Sequence, residues 1–339
     1  MNSDEIFPQA TSLIDPFGRH ITYLRLSLTD RCDLRCTYCM AASPDFLPKS
    51  EVLSIEELGE VADAFIARGV RKIRLTGGEP LVRKGFMTLV RQLATHLDAG
   101  RLDELTLTTN GTQLTRFAEP LAEAGVKRVN VSLDTRDPEQ YKKLTRTGDV
   151  TQALAGIKAA QAAGLRVKIN AVALAGVNEG ELPEMIAWAH GEGMDITLIE
   201  VMPLGEIGVD RGAQFLSLER VKDRLAERWT LVPSDHNTGG PARYFNIAQT
   251  GGRLGLITPL SENFCAGCNR VRVTCTGQLF MCLGRMGSVD LREPLRAGGA
   301  EALDTALDEA IRQKPEAHDF QVGKGAPLEV TRTMSTTGG

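Results

Sequence analysis

No run in the chain approaches the roughly 20 consecutive apolar residues that a membrane-spanning helix requires. Met1 to His20 carries acids and prolines but no apolar core, so no signal peptide is expected and the protein is expected in the cytoplasm. Neither sign of charge dominates: 39 Lys and Arg against 43 Asp and Glu leave a net −4. That excludes the global basic field of a nucleic-acid binder. Long low-complexity segments, repeats with a fixed signature and a GxxxxGK(S/T) phosphate loop are also missing. What remains is ordinary globular composition, 42% hydrophobic and 24% charged over 339 residues. That length suits one large α/β domain or a domain with an extension.

Seven cysteines then need a reason. In a reducing compartment disulfides are disfavoured, and clustered cysteines are more often metal ligands. Six fall into two groups, Cys32, Cys36 and Cys39 near the start and Cys265, Cys268 and Cys282 near the end, while Cys275 stands apart.

From about residue 21 to 203, β-rich runs alternate with helical stretches. The runs are Ile21–Thr29, Arg71–Thr76, Leu105–Thr109, Arg128–Asp134, Arg166–Leu174 and Ile196–Met202. One helix opens on a capping box, Ser54 to Glu57, and keeps Leu58, Val61, Ala62, Phe65 and Ile66 on one face before Gly69 stops it. Six strand–helix repeats predict a parallel α/β sheet of right-handed units, a partial (β/α)6 TIM-type barrel two units short of closure. The strands alternate where doubly buried strands should be continuously apolar. Leu24, Leu26 and Leu28 oppose Arg25, Ser27 and Thr29; Ile73 and Leu75 oppose Lys72, Arg74 and Thr76. Val129, Val131 and Leu133 oppose Asn130, Ser132 and Asp134, and Val167 and Ile169 oppose Lys168 and Asn170. One face therefore seats helices while the other is polar, as in a barrel whose lumen is a binding chamber. An antiparallel sheet with one wet face would share the alternation, but helix-length segments between strands disfavour it. The last strand fits less well, because Glu200 falls on the face of Ile196 and Leu198. Residues 15–240 are expected to form the barrel region. Residues 241–339 are expected to form an extension packed on it, with short strands at Tyr244–Ile247 and Arg253–Ile257 and a helix around Ala300–Gln313.

Cys32-x3-Cys36-x2-Cys39 begins just past the first strand. Three thiolates can wrap one centre but leave the fourth iron of a cubane without a protein ligand, whereas structural zinc normally has four. Cys32-Asp-Leu-Arg-Cys36-Thr-Tyr-Cys39 resembles the CxxxCxxC signature of the radical S-adenosylmethionine superfamily, and Gly77-Gly78-Glu79-Pro80 resembles its GGEP motif. Glycines there allow close backbone approach to the ligand's amino group. In the second group, Cys265-x2-Cys268-x13-Cys282, spacing alone leaves zinc, a plain structural site and iron–sulfur open. Arg270 and Arg272 follow at a spacing that puts both forks on one side of an extended run, an arrangement suited to phosphate.

Within the superfamily the chain resembles the GTP 3′,8-cyclase family of molybdenum cofactor biosynthesis. The resemblance runs through Leu24–Cys32, Lys72–Pro80, Thr108–Gly111, Asn130–Asp134, Val167–Asn170, Ile199–Pro203, Phe264–Arg272 and the terminal Gly338-Gly339. It implies two [4Fe–4S] clusters, on Cys32, Cys36 and Cys39 and on Cys265, Cys268 and Cys282, the second ligating guanine through its open iron. It implies S-adenosylmethionine contacts at Tyr38, Gly78, Ser132 and Met202. It implies GTP contacts at Arg25, Arg74, Thr108, Lys168, Arg270, Val271 and Arg272, and a catalytic supporting role for Gly338 and Gly339. A 5′-deoxyadenosyl radical would abstract hydrogen from C3′ of GTP, and the sugar radical would close onto C8, giving (8S)-3′,8-cyclo-7,8-dihydroguanosine 5′-triphosphate. The implied partners are an electron donor and, next in sequence, cyclic pyranopterin monophosphate synthase, with no nucleic acid and no membrane; a homodimer is left open. Two positions depart from the pattern. Thr197 stands where relatives commonly carry arginine, and Cys275 has no counterpart among the ligands. A peptide-maturing radical enzyme with an auxiliary cluster should show more C-terminal cysteines and no Arg-x-Arg. A non-catalytic, metal-stabilised nucleotide-binding protein would need neither open irons nor the GGEP turn.

Overall fold

The computed structural model describes residues 12–205, 211–318, 320 and 330–338. Six parallel strands follow one another in chain order: Tyr23–Ser27 (β1), Lys72–Thr76 (β2), Glu104–Thr109 (β3), Arg128–Ser132 (β4), Arg166–Ala173 (β5) and Asp195–Glu200 (β6). All lie where the β-rich runs were read. The helix Ile55–Ala67 begins as expected, Ser54 Oγ accepting from Glu57 N–H while the Glu57 carboxylate accepts from Ser54 N–H. Its buried face meets the apolar side of the strands, where Leu24, Leu26, Ile73, Leu75, Val129 and Ile169 join one core.

The extension does more than pack on the barrel. After β6 come Leu231–Ser234 (β7), within the residues read as the barrel region, and, in the extension, Arg243–Ile247 (β8), Arg253–Ile257 (β9), Arg270–Val273 (β10), Gln278–Phe280 (β11) and Ser288–Asp290 (β12). They lengthen the same sheet at both edges, giving twelve strands in the order β12-β11-β10-β1-β2-β3-β4-β5-β6-β9-β8-β7. β9 runs parallel to β6 and β10 parallel to β1, so both ends of the sheet are C-terminal sequence and the barrel is open. The helix expected around Ala300–Gln313 spans Arg292–Arg312 and is interrupted at Gly299, whose φ of 60° lies in the left-handed region.

Register turns the polar faces into layers. Arg25 pairs with Arg74 on one side and Arg272 on the other, Ser27 with Thr76, Asn130 with Lys168, and Ser132 with Asn170. The first residues of β2, β3, β4, β6 and β9 are Lys72, Glu104, Arg128, Asp195 and Arg253. They close the lumen's lower end with ion pairs: Lys72–Glu104 at 2.5 Å, Arg128–Glu104 at 2.6 Å and Arg253–Asp195 at 3.0 Å. Chemistry is left to the opposite end, where parallel barrels place it.

Candidate active site

The first cysteine loop leaves the C-terminal end of β1 and is tied down on every side. Cys39 N–H donates to Cys36 O at 3.0 Å, Thr37 N–H to Leu144 O at 2.8 Å and Arg35 N–H to Thr145 O at 3.0 Å. Asp33, between the first two cysteines, accepts from Asn110 Nδ2 at 2.7 Å and Thr112 Oγ1 at 2.6 Å. Gly77 and Gly78 bring the end of β2 against this loop: Gly78 N–H donates to Thr29 O and Glu79 N–H to Arg31 O, both at 2.8 Å. A Cβ on Gly78 would collide with the Arg31 backbone and lie 2.8 Å from Asp30 O. The glycines therefore first let two backbone loops touch. Glu79 is fully buried and accepts from Leu81 N–H at 3.0 Å, Thr109 Oγ1 at 2.8 Å and Asn110 N–H at 2.7 Å, stitching β2 to β3. Burial pushes its carboxyl up to about 8. Tyr38 donates to Asp134 Oδ2 at 2.6 Å, and Val172 N–H donates to the other oxygen at 2.8 Å. Burial lifts the Asp134 carboxyl to about 6.

The second cysteine group sits beside the first strand's other neighbour. Cys265 and Cys268 precede β10, whose Arg270 pairs with Tyr23, and Cys282 follows β11. The Glu200 that spoiled the alternation of β6 is fully buried and accepts from Leu218 N–H, Leu260 N–H and Ser261 N–H at 3.1–3.2 Å. It thereby holds the segment leading into Cys265.

The two groups differ electrostatically. Burial, then Glu79 and Asp33, raise the Cys32 thiol, and burial raises Cys36. Cys268 is opposed by burial but held below the ordinary thiol value by Arg270 and Lys314. Among the described residues no three Cys, His, Asp or Glu side chains close on a single ion. A cubane sets its irons between its thiolates, so its ligands stand wider than those of one tetrahedral ion. Cys275 is fully buried, its thiol pushed up to about 12 by burial, and it does not line the cavity described next.

All six remaining cysteines line one cavity of about 290 Å³. Tyr38, Gly78, Ser132 and Met202 line it too, as do Arg25, Arg74, Thr108, Arg270 and Arg272. Val271 touches it but pairs with Leu24 and belongs to the apolar core. Lys168 is buried off the cavity wall; its Nζ lies 2.5 Å from Tyr244 Oη and 4.9 Å from that ring's centroid. Thr197 is fully buried in register with Asn170 and Gly255. Gly338 reaches the chamber: its carbonyl accepts from Arg272 at 2.6 Å, and a Cβ on it would lie 2.9 Å from Thr76 Cβ. Gly339 lies outside the described residues.

The chamber's charge is lopsided. Burial and the neighbouring Arg74 and Arg270 bring Arg25 down to about 10, and burial with Arg25 and Arg270 depresses Arg272 further. Tyr23, although burial opposes it, is drawn down to about 8 by Arg74, Arg25, Lys72 and Arg270. Arg74 Nε, Arg270 Nε and Thr108 Oγ1 are buried without a hydrogen-bond partner. Such donors cost free energy unless something polar satisfies them, and a polyanion suits this set. The three-thiol groups, the glycine cradle and these donors thus fit two clusters, a small zwitterionic cofactor and a triphosphate.

An open parallel barrel with three thiols past its first strand and a glycine turn past its second defines a radical S-adenosylmethionine enzyme. Residues 26–189 match the Radical SAM superfamily profile and residues 194–320 match Molybdenum Cofactor Synthesis C. Streptococcus suis SuiB bound to S-adenosylmethionine shares the fold, with a TM-score of 0.57 at 16% identity over 81% of this chain and 64% of that one. The GTP 3′,8-cyclase of Caulobacter vibrioides is 62% identical over 329 residues, 97% of this chain and 94% of its own length. That of Rhizobium etli is 58% identical over 341 residues, 100% of this chain and 97% of its own. The chain belongs to the GTP 3′,8-cyclase family.

Proposed function

We propose that this chain converts GTP to (8S)-3′,8-cyclo-7,8-dihydroguanosine 5′-triphosphate in molybdenum cofactor biosynthesis. The observation that carries this is one cavity lined by both three-thiol groups and by four arginines, of which Arg74 and Arg270 keep a buried Nε without a hydrogen bond. Cys32, Cys36 and Cys39 would hold the cluster that acts on S-adenosylmethionine; Cys265, Cys268 and Cys282 would hold a second, toward the guanine. When bound, the first cluster and S-adenosylmethionine supply a 5′-deoxyadenosyl radical able to take hydrogen from C3′ of GTP. Everything else falls to side chains. Tyr38, Gly78, Ser132 and Met202 seat the cofactor where Gly78 already forms the cavity wall. Arg25, Arg74, Arg270 and Arg272 hold the triphosphate by forks and charge in place of a phosphate loop, with Thr108 adding a hydroxyl. Lys168 stands behind the wall against Tyr244 Oη, its ammonium kept well below its ordinary basicity by burial, Arg74 and Arg128, so it makes no direct contact. Anchoring both ends of GTP favours the folded conformer that ring closure needs. Gly338, already on Arg272, supports catalysis by reaching the chamber without bulk, and Gly339 is assigned the same supporting role.

The division into residues 15–240 and 241–339, a cytoplasmic location, an external electron donor and hand-off to cyclic pyranopterin monophosphate synthase belong to this proposal, as does the option of a homodimer. No described helix is long and apolar enough to cross a membrane. The test is Cys265→Ala in anaerobically reconstituted protein. Iron should fall from about eight to about four per chain, with some 5′-deoxyadenosine still formed and no cyclic product. Cyclic product at the normal rate would contradict the role of the second group.

A further inference from the structure

Lys314, just beyond the helix Arg292–Arg312, is only 3% exposed and, among the described residues, has no carboxylate as a hydrogen-bond partner. Its Nζ lies 2.7 Å from Met281 O, 3.2 Å from Arg270 O and 3.6 Å from Cys268 Sγ, one acceptor for each ammonium proton. A buried ammonium held by two carbonyls and a sulfur lacks the counter-ion that burial normally demands. The missing negative charge is a thiolate. Lys314 is also one of three cations, each fixed to a different cysteine of this group. Arg19 donates to Cys265 O at 2.7 Å and Arg332 to Cys282 O at 3.1 Å. Around the N-terminal cysteines the charges are mixed: Arg35 donates to Cys32 O at 2.6 Å, Asp33 Oδ1 is 3.8 Å from Cys32 Sγ, and the donors to that sulfur, Leu34 N–H at 3.4 Å and Asn110 Nδ2 at 3.8 Å, are neutral. Net charge and hydrogen bonds to sulfur set the potential of an iron–sulfur centre, and outer contacts orient its ligands.

We propose that Lys314 is a positioning residue of the C-terminal centre, donating an N–H···S hydrogen bond to the Cys268 thiolate and raising that cluster's reduction potential. The proposal rests on the reading that Cys265, Cys268 and Cys282 hold a cluster. The cationic shell stabilises the extra electron of the reduced state.

The test is an EPR-monitored redox titration of the anaerobically reconstituted full chain, with iron counted, for wild type, Lys314→Met, Lys314→Gln and Lys314→Arg. A variant with Cys32, Cys36 and Cys39 changed to alanine assigns the C-terminal signal. Lys314→Met should lower the C-terminal cluster's reduced-to-oxidised ratio at fixed potential about tenfold, about 59 mV for one electron. Lys314→Gln should fall between, Lys314→Arg should stay near wild type, and the N-terminal cluster should not move. Loss of about four irons in the Met and Gln variants, with Arg retaining them, would also support the contact. Full iron with an unmoved midpoint in both Met and Gln, or iron loss in all three variants, would overturn it. Only about four irons in wild type would instead overturn the underlying reading of the C-terminal cysteines.

Discussion

Gly78 is held by backbone on both sides: its N–H is spent on Thr29 O, and the Arg31 carbonyl occupies the place a Cβ would take. Gly78→Ala must therefore push the cysteine loop away from β2. The expected cost is about 1–3 kcal/mol, read by denaturant unfolding, together with weaker S-adenosylmethionine binding by the reconstituted protein. Unchanged stability and binding would mean that the loops do not meet as described. The glycines and cysteines were legible because their chemistry is local and their spacing distinctive. Arg25, Arg74, Thr108 and Ser132 were legible because strand alternation puts them on the polar face. Depth in the lumen was not: Lys168 shares that face, but Tyr244, 76 residues later, takes its ammonium. Glu79, Asp134, Glu200 and Lys314 were missed as individual actors because each is a single charged residue whose partners lie far along the chain, Lys314 being 46 residues from Cys268. Burial is what makes them matter, and sequence does not display it at isolated charged positions.

At the scale of elements, the six barrel strands could be read because all but the last alternate cleanly and helical stretches separate them. The six C-terminal strands could not be placed, since β7 to β12 are short and nothing local says that β9 joins β6 and β10 joins β1. Nor did alternation reveal that the first residues of β2, β3 and β4 form an ion cluster. Burial works to raise the Glu104 carboxyl, but Lys72 and Arg128 outweigh it and hold it below its ordinary value. A carboxyl depressed by folding adds stability above its unfolded value, and that stability is lost as pH falls through the folded one. Glu104→Gln should therefore destabilise the chain by roughly 2 kcal/mol at neutral pH. The difference from wild type should shrink as pH drops below the ordinary value of 4.5. Thermal unfolding across pH measures this, and a pH-independent difference would show that the charge on Glu104 is not what stabilises the strand ends.

For the whole molecule, the distinguishing arrangement is that cysteines from opposite ends of the chain meet one cavity. The β1–β10 pairing accounts for it: the first strand carries Cys32, Cys36 and Cys39 past its C-terminal end, and its C-terminal neighbour is preceded by Cys265 and Cys268. The pairing also sets Arg25 beside Arg272, so the same contact that unites the thiols concentrates the positive charge. Neither group alone explains the buried arginines, and the arginines alone explain no thiol. The most direct measurement is anaerobic reconstitution followed by iron counting and product analysis with and without GTP. About eight irons per chain, with 5′-deoxyadenosine and the cyclic nucleotide formed when GTP is supplied, is the expected result. Zinc at Cys265, Cys268 and Cys282, or 5′-deoxyadenosine formation indifferent to GTP, would contradict it.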